Sequence, residues 1–109
     1  MTSPLEQSSE PLEDAWLVVA RNSRVNSLWE ALCARNSEER SKECYRHLSL
    51  TPTKRKRNKI FPLRGKKYEG AWEYKFPSGD RVFYVPDTQI KKVEVYYADK
   101  HPKKKAPEP

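Results

Sequence analysis

The feature that most constrains the fold is a change in the spacing of apolar residues between the first and last thirds of the chain. In the first third, five apolar residues recur at intervals of three and four: Val25, Leu28, Trp29, Leu32 and Cys33. This period predicts a helix with one buried face. Later, Trp72, Tyr74 and Phe76 alternate with Glu73 and Lys75, which predicts a strand with one buried face.

The other elements follow from shorter patterns. The apolar run 16–20 predicts a buried strand, and a second helix is expected to begin at Asn36 or Ser37 and to end at Thr51-Pro52. After residue 70, tight turns separate three predicted strands, at 71–76, 81–85 and 91–98. The expected fold is a small single α+β domain of order β-α-α-β-β-β, with an antiparallel meander sheet and both helices packed on one face.

Composition limits the class of protein. The chain has 109 residues and a net charge of +7, and it is rich in aromatic residues for so charged a sequence. We expect one domain over residues 15–102, between an acidic flexible tail (1–14) and a basic, proline-rich flexible tail (103–109). No apolar run approaches the roughly 20 residues that span a bilayer, and the acidic start does not resemble a secretory leader, so a cytoplasmic protein is expected. The two cysteines and two histidines lack metal-ligand spacing, and neither a metal nor another cofactor is expected.

The charge is unevenly distributed. Residues 1–14 hold four acids and no base, whereas residues 51–67 hold eight bases and no acid. The bases are Lys54, Arg55, Lys56, Arg57, Lys59, Arg64, Lys66 and Lys67. Such a segment attracts phosphates, so it predicts contact with nucleic acid; the alternatives are a loop kept soluble by its charge and a nuclear import signal.

Candidate catalytic residues lie on the predicted meander. Glycine-rich nucleotide-binding motifs and common hydrolase motifs are absent from the sequence. Arg81 begins one strand, and Lys100 and His101 end the next; antiparallel pairing therefore brings Arg81 and His101 to the same edge. Arg81 could equally form a salt bridge at the rim of the sheet.

These residue types suit metal-free cleavage of RNA. The reaction needs a base for the 2′-OH, a cation on the phosphate and an acid for the departing 5′ oxygen. Arg81 is expected to hold the phosphate and His101 to act as the acid. Lys75 or Glu73 is expected to act as the base, Lys75 only if neighbouring cations lower its pKa. Tyr84 either closes the core or points its hydroxyl into the groove. The alternating aromatics of 72–76 are expected in the core rather than as a base-stacking platform.

Residues 62–102 resemble the C-terminal half of the RelE/ParE toxin superfamily of bacterial toxin-antitoxin modules. The most specific elements are Gly70-x-Trp72 and the run Arg81-Val82-Phe83-Tyr84, and the upstream order of elements extends the resemblance over residues 15–102. The resemblance implies a toxin that cleaves mRNA, usually in the ribosomal A site, and that a cognate antitoxin protein neutralises.

The resemblance also assigns roles. Arg81 matches the family's phosphate-binding arginine, Lys75 a basic strand position, His101 a catalytic position, and residues 54–59 a region that meets rRNA. The chain departs from the family by having Pro102-Lys103-Lys104 where members often have an aromatic residue, so Tyr97 or Tyr84 would need to compensate. The alternatives are a ParE-like inhibitor of DNA gyrase and a catalytically inactive RNA-binding relative.

Overall fold

The computed structural model describes residues 3–4 and 14–109, in which two helices pack on one face of a mixed β-sheet. The elements are β1 (Ser3–Pro4), β2 (Leu17–Ala20), α1 (Ser23–Arg35), α2 (Glu38–Leu50), β3 (Ile60–Pro62), a 3-10 helix (Lys66–Tyr68), β4 (Trp72–Lys75), β5 (Asp80–Asp87) and β6 (Lys92–Lys100). The predicted acidic tail falls largely on residues outside the described ones, although Ser3–Pro4 pairs with β2. The α+β class and the two helices are confirmed.

The sheet has the strand order β1-β2-β6-β5-β4-β3. The prediction of an antiparallel meander is correct for β4, β5 and β6 but wrong for the whole sheet, because β2 runs parallel to β6. Parallel pairing suits β2, since Val18, Val19 and Ala20 are all buried between its neighbours. The segment predicted as a basic loop also contributes β3, which forms the edge beside β4.

Polar side chains cap the first turn of both helices, and the cap of α2 is Ser37, one of the two residues predicted for it. Asn22 Oδ1 accepts a hydrogen bond from the backbone N–H of Val25 at 2.9 Å, and Ser37 Oγ accepts one from Arg40 N–H at 3.2 Å. Each bond satisfies a donor that the first turn of a helix leaves unpaired.

The main core lies between the helices and the sheet. Its largest members are Trp29, Leu32 and Leu48 from the helices and Tyr74 and Tyr84 from the sheet, all nearly or fully buried. Tyr74 and Phe76 are therefore core residues and not a platform for bases, as the alternation predicted.

The opposite side of the sheet, here called the second face, carries a smaller apolar cluster around Phe83, Tyr96 and Ala71. A β-bulge between β5 and β6 sets its composition, because Phe83 pairs with Tyr97 whereas Tyr84 pairs with Val95. Strict alternation along β6 would place Tyr97 with Val95 on the helix side. The extra residue instead places both Tyr96 and Tyr97 on the second face.

Residues 103–109, predicted to be a flexible tail, lie partly against the second face. The Tyr96 hydroxyl donates to the carbonyl of Pro107 at 2.9 Å, and Ala106 packs against the cluster around Phe83.

One buried carboxylate joins the helices to the sheet. Asp80, with no solvent exposure, accepts hydrogen bonds from Arg35 Nη2 (2.6 Å), Asn36 Nδ2 (2.9 Å) and Ser78 Oγ (2.8 Å). Arg35 and Asn36 stand at the end of α1, and Ser78 lies in the turn between β4 and β5. Burial opposes ionisation, but these hydrogen bonds outweigh it and lower the pKa of Asp80 to about 2.

We expect Asp80→Asn to lower the free energy of unfolding at pH 7 by about 2 kcal/mol, the value of a shift of nearly two pKa units. Since the pKa is lower in the folded state, this contribution is present above about pH 4 and is lost as the pH falls towards 2. Urea unfolding at pH 7 and at pH 2.5 tests both statements. The control is Asp87→Asn, at the exposed end of the same strand; an equal loss in both variants, or a loss from Asp80→Asn that persists unchanged at pH 2.5, contradicts the assignment.

Candidate functional site

The second face brings together four of the five residues predicted to be catalytic. Lys75 of β4 pairs with Arg81 of β5, and Glu73 pairs with Phe83 two residues further along. Their side chains point away from the helices because Tyr74, Val82 and Tyr84 point towards them. His101 reaches the same face, with its ring centroid 6.0 Å from that of Phe83.

Arg81 is held firmly at the beginning of β5. Its Nη1 donates to the carbonyls of Asp80 (2.9 Å) and Phe76 (3.3 Å), and its Nε lies 3.1 Å from Glu73 Oε2. The side chain of Arg81 is 20% exposed and that of Glu73 is 6% exposed. The Nε–H group is buried and makes no hydrogen bond within the described residues, so the contact with Glu73 is an ion pair of imperfect geometry. Both sequence-based interpretations of Arg81, a cation on the site face and a salt-bridge partner, are therefore compatible with the structure.

His101 is exposed on this face, and Lys75 is partly exposed. The Lys75 ammonium lies 5.1 Å from the centre of the Phe61 ring on β3, a cation–π contact at the edge of the sheet. His101 is exposed, and its Nδ1 is 2.6 Å from the carbonyl oxygen of Pro102. Because a carbonyl only accepts hydrogen bonds, Nδ1 carries the proton in this contact and Nε2 is the nitrogen left for exchange with a ligand.

Tyr84, the fifth residue predicted to be catalytic, does not lie on the second face. It lies on the helix side of the sheet with no solvent exposure, where its hydroxyl donates to the carbonyl of Pro52 at 2.7 Å. Burial, with smaller contributions from Cys44 and Tyr74, raises the pKa of Tyr84 far above its ordinary value. Of the two roles that the sequence left open, closing the core is the one observed, and Tyr84 is separated from the other four residues by the sheet.

Lys100 also lies apart from the second face. Its Nζ donates to the carbonyl of Ser78 at 2.9 Å and lies 3.6 Å from Asp80 Oδ2. The ammonium is therefore directed to the turn between β4 and β5, although it is exposed enough to meet a phosphate there.

The run of eight bases is divided by β3. Lys54, Arg55, Lys56 and Lys59 line a concavity beside α2, on the helix side of the sheet. Arg64, Lys66 and Lys67 lie after β3 and are exposed, next to Tyr68, which packs against the second-face cluster. Residues 56–60 form a tight turn, in which Lys56 and Ile60 exchange backbone hydrogen bonds and Asn58 adopts a left-handed φ of 62°.

His47 is a residue that the sequence analysis did not place in any site. Its Nε2 lies 3.1 Å from the Tyr84 hydroxyl, and its Nδ1 lies 3.1 Å from Thr51 Oγ1. Since the only proton of the Tyr84 hydroxyl goes to Pro52, Nε2–H must donate to Tyr84 and Nδ1 must accept from Thr51. Burial, together with the charges of Lys59 and Lys54, lowers the pKa of His47 to about 4. No short motif marks this arrangement, because Thr51 is close to His47 in the chain, whereas Lys59, Tyr74 and Tyr84 come from the basic turn, β4 and β5.

In comparisons with known proteins, no family model matches the chain and no curated protein matches it. The resemblance to the RelE/ParE superfamily therefore stays a prediction. Within the described part of the chain, no helix is both long and apolar enough to cross a membrane.

We expect Glu73→Gln to destabilise the fold by roughly 2 to 4 kcal/mol, because it leaves the guanidinium of Arg81 without its counter-ion in a mostly buried position. The matched control is Glu94→Gln, which removes the partner of Arg21; that pair is 3.0 Å apart but 38% and 31% exposed, so the loss should stay below about 1 kcal/mol. Denaturant unfolding of both variants measures the difference. Equal losses would mean that the burial of the Arg81–Glu73 pair has no energetic consequence.

We expect the NMR titration of His47 to have its midpoint near pH 4. The folded state disfavours the charged ring. Protonation of His47 therefore does not affect stability above the ordinary pKa of about 6.5, and it destabilises the fold increasingly as the pH falls from there towards 4. His47→Gln, which can still donate to Tyr84, should therefore lose less stability than the wild type between pH 7 and pH 4.5. A wild-type midpoint near 6.5 would contradict the assigned environment.

Proposed function

We propose that the chain is the toxin of a toxin-antitoxin pair, a metal-independent endoribonuclease that cleaves mRNA on the ribosome. The observation that carries the proposal is that Arg81, Glu73, Lys75 and His101 all lie on the second face, the first three on the neighbouring strands β4 and β5. Together these residues include a cation, two candidate bases and an acid, which are the groups that the reaction requires.

The cleavage step is a transfer of the phosphate within the RNA strand. The 2′-OH loses its proton to a base and attacks the adjacent phosphorus, the bond to the 5′ oxygen breaks, and an acid protonates that oxygen. The products are a 2′,3′-cyclic phosphate and a free 5′-OH. Arg81, already fixed by two carbonyls, is placed to stabilise the charge that develops on the phosphate without further ordering.

The geometry favours Lys75 over Glu73 as the base. Glu73 is buried and paired with Arg81, so its carboxylate acts better as a positioning group that holds the guanidinium. Lys75 is partly exposed at the end of β4, and it acts as the base in its neutral amine form, because an ammonium group has no lone pair with which to take the proton. His101, exposed and with Nε2 free of the Pro102 contact, suits the acid.

The exposed bases supply the means of docking on RNA. The concavity beside α2 is lined by Lys54, Arg55 and Lys56, and the exposed Arg57, Arg64, Lys66 and Lys67 flank β3 in the chain, so an RNA or rRNA surface can meet positive charge near that edge. The proposal implies mRNA and the ribosome as partners in the cytoplasm, and an antitoxin protein that blocks this surface.

A second candidate is an RNA-binding relative that does not cleave. The specific observation in its favour is that the charge of Arg81 is already balanced by Glu73 at 3.1 Å, which weakens its attraction for a phosphate. This candidate keeps the basic surface and predicts RNA binding without strand scission.

We expect His101→Gln and Arg81→Lys each to lower the rate of mRNA cleavage by roughly 100- to 1000-fold, since each removes a preorganised group that acts in the transition state. Purified protein is added to translating ribosomes with a chelator present, and the RNA ends are mapped. The His101 variant is the cleaner test because that side chain is exposed, whereas Arg81→Lys keeps a charge opposite Glu73 and so preserves the pair. The control is Arg21→Ala, which removes another paired arginine but should leave cleavage within about twofold.

Intact mRNA with the wild-type protein would exclude the endoribonuclease. Binding of RNA in that case would favour the second candidate, and inhibition of DNA gyrase without RNA binding would favour the gyrase inhibitor.

A further inference from the structure

The concavity beside α2 is lined by several positive charges, and it also contains His47 and Tyr74, whose polar atoms already have hydrogen-bond partners. It has a volume of about 430 Å³ and is lined by Glu43, His47, Lys54, Arg55, Lys56, Lys59, Ile60 and Tyr74. It opens on the helix side of the sheet, so the sheet separates it from Arg81 and His101.

The charges of the concavity are only partly balanced. Lys59 Nζ is 2.9 Å from Glu43 Oε1 and 5.3 Å from the centre of the Tyr74 ring, and Tyr74 donates to the same carboxylate at 3.4 Å. Glu43 is thus engaged with Lys59, and the pKa of its carboxyl is lowered by that hydrogen bond. Lys54, Arg55 and Lys56 form no ion pair with any residue from 14 to 109, which leaves three positive charges facing the concavity.

Hydrogen bonds order the backbone of the segment that carries these bases. Tyr84 anchors Pro52 through its carbonyl, Lys54 N–H donates to Thr51, and the reciprocal bonds between Lys56 and Ile60 close the turn. The concavity is therefore a shaped surface, with a neutral histidine at its wall, and not a random arrangement of a solvated loop.

We propose that this concavity binds a phosphate group, and that the group is a backbone phosphate of the RNA strand that is cleaved on the second face. The second part rests on the proposed function. The two surfaces meet across one strand edge: Lys75 N–H donates to the carbonyl of Lys59 at 2.9 Å, with the Lys59 side chain on the helix side and the Lys75 side chain on the second face. An RNA strand that passes around the three-residue strand β3 meets both sets of charges.

His47 reports on occupancy of the concavity. The charged and titratable groups that face it are Lys54, Lys59, Tyr74 and Tyr84, with Glu43 across the concavity. An anion bound beside Lys54 and Lys59 offsets their repulsion of the imidazolium, so binding raises the pKa of His47.

The experiment uses the full wild-type chain and a 2′-O-methyl oligoribonucleotide without terminal phosphates, which cannot be cleaved by attack of a 2′-OH. Inorganic phosphate and adenosine monophosphate are the parallel ligands. Binding is followed by fluorescence anisotropy at several salt concentrations and by NMR of the His47 ring. We expect the oligonucleotide to shift the His47 resonances and to raise the midpoint of its titration.

We expect Lys54→Ala and Lys56→Ala each to weaken binding of the oligonucleotide by roughly 3- to 10-fold and to reduce the slope of log affinity against log salt by about 0.7, the value for one lost contact to a single strand. The control is Lys42→Ala, an exposed lysine of α2 that pairs with Glu38 outside the concavity and should bind as the wild type.

Binding of the oligonucleotide with no change at His47 and no effect of the two substitutions would overturn the proposal. If adenosine monophosphate or inorganic phosphate shifts the His47 resonances and the oligonucleotide does not, the assignment of the bound phosphate to RNA is overturned. A response to the oligonucleotide in a protein that never cleaves mRNA supports the phosphate site and removes only the proposed nuclease, so the two failures are distinguishable.

Discussion

The arrangement of the molecule depends on the buried carboxylate of Asp80. Its hydrogen bonds to Arg35 and Asn36 fasten the end of α1 to the beginning of β5, and its bond to Ser78 closes the turn before that strand. A carboxylate without solvent needs this full set of donors, since burial alone would favour its neutral form. Because Asp80 points to the helices, the next residue along the strand must point to the other face, and that residue is Arg81. The position of Asp80 on the helix side therefore places the side chain of Arg81 on the second face.

One face of the sheet forms the core with the helices, and the other carries the candidate catalytic residues. The helix side holds Tyr74, Val82 and Tyr84 in the core, and the second face presents Glu73, Lys75 and Arg81. The Arg81–Glu73 pair contributes to stability and to the candidate site. It is buried enough to affect stability, and it lies where a phosphate would be held in the proposed reaction. Variants of Arg81 must therefore be interpreted together with a measurement of stability, whereas variants of His101 change an exposed group. The residues after His101 lie on the same face, so the accessible part of that face is bounded by the hydrogen bond between Tyr96 and Pro107.

The distribution of the basic residues has a structural consequence that their sequence does not suggest. They form one run in the chain, but the edge strand β3 divides them between a concavity beside α2 and the border of the second face. The backbone hydrogen bond from Lys75 to Lys59 brings the two surfaces within one strand of each other. Charge that is continuous around an edge can guide a flexible polyanion from one face to the other, which is the basis of the proposed phosphate site.

The sequence by itself determined the α+β class, the two helices, the strand alternation and the placement of Arg81 and His101 at the same end of neighbouring strands, because these follow from period, capping residues and the antiparallel return of a meander. Only the tertiary structure decided the parallel pairing of β2 with β6, since local patterns carry no information on the direction of a distant partner. It also decided the side on which Tyr97 lies, because one bulge reverses the alternation, and it turned Tyr84 into the core. The environment of His47 arises from α2 with its C-cap Thr51, from the basic turn and from β4 and β5, and only folding brings the last three segments to α2.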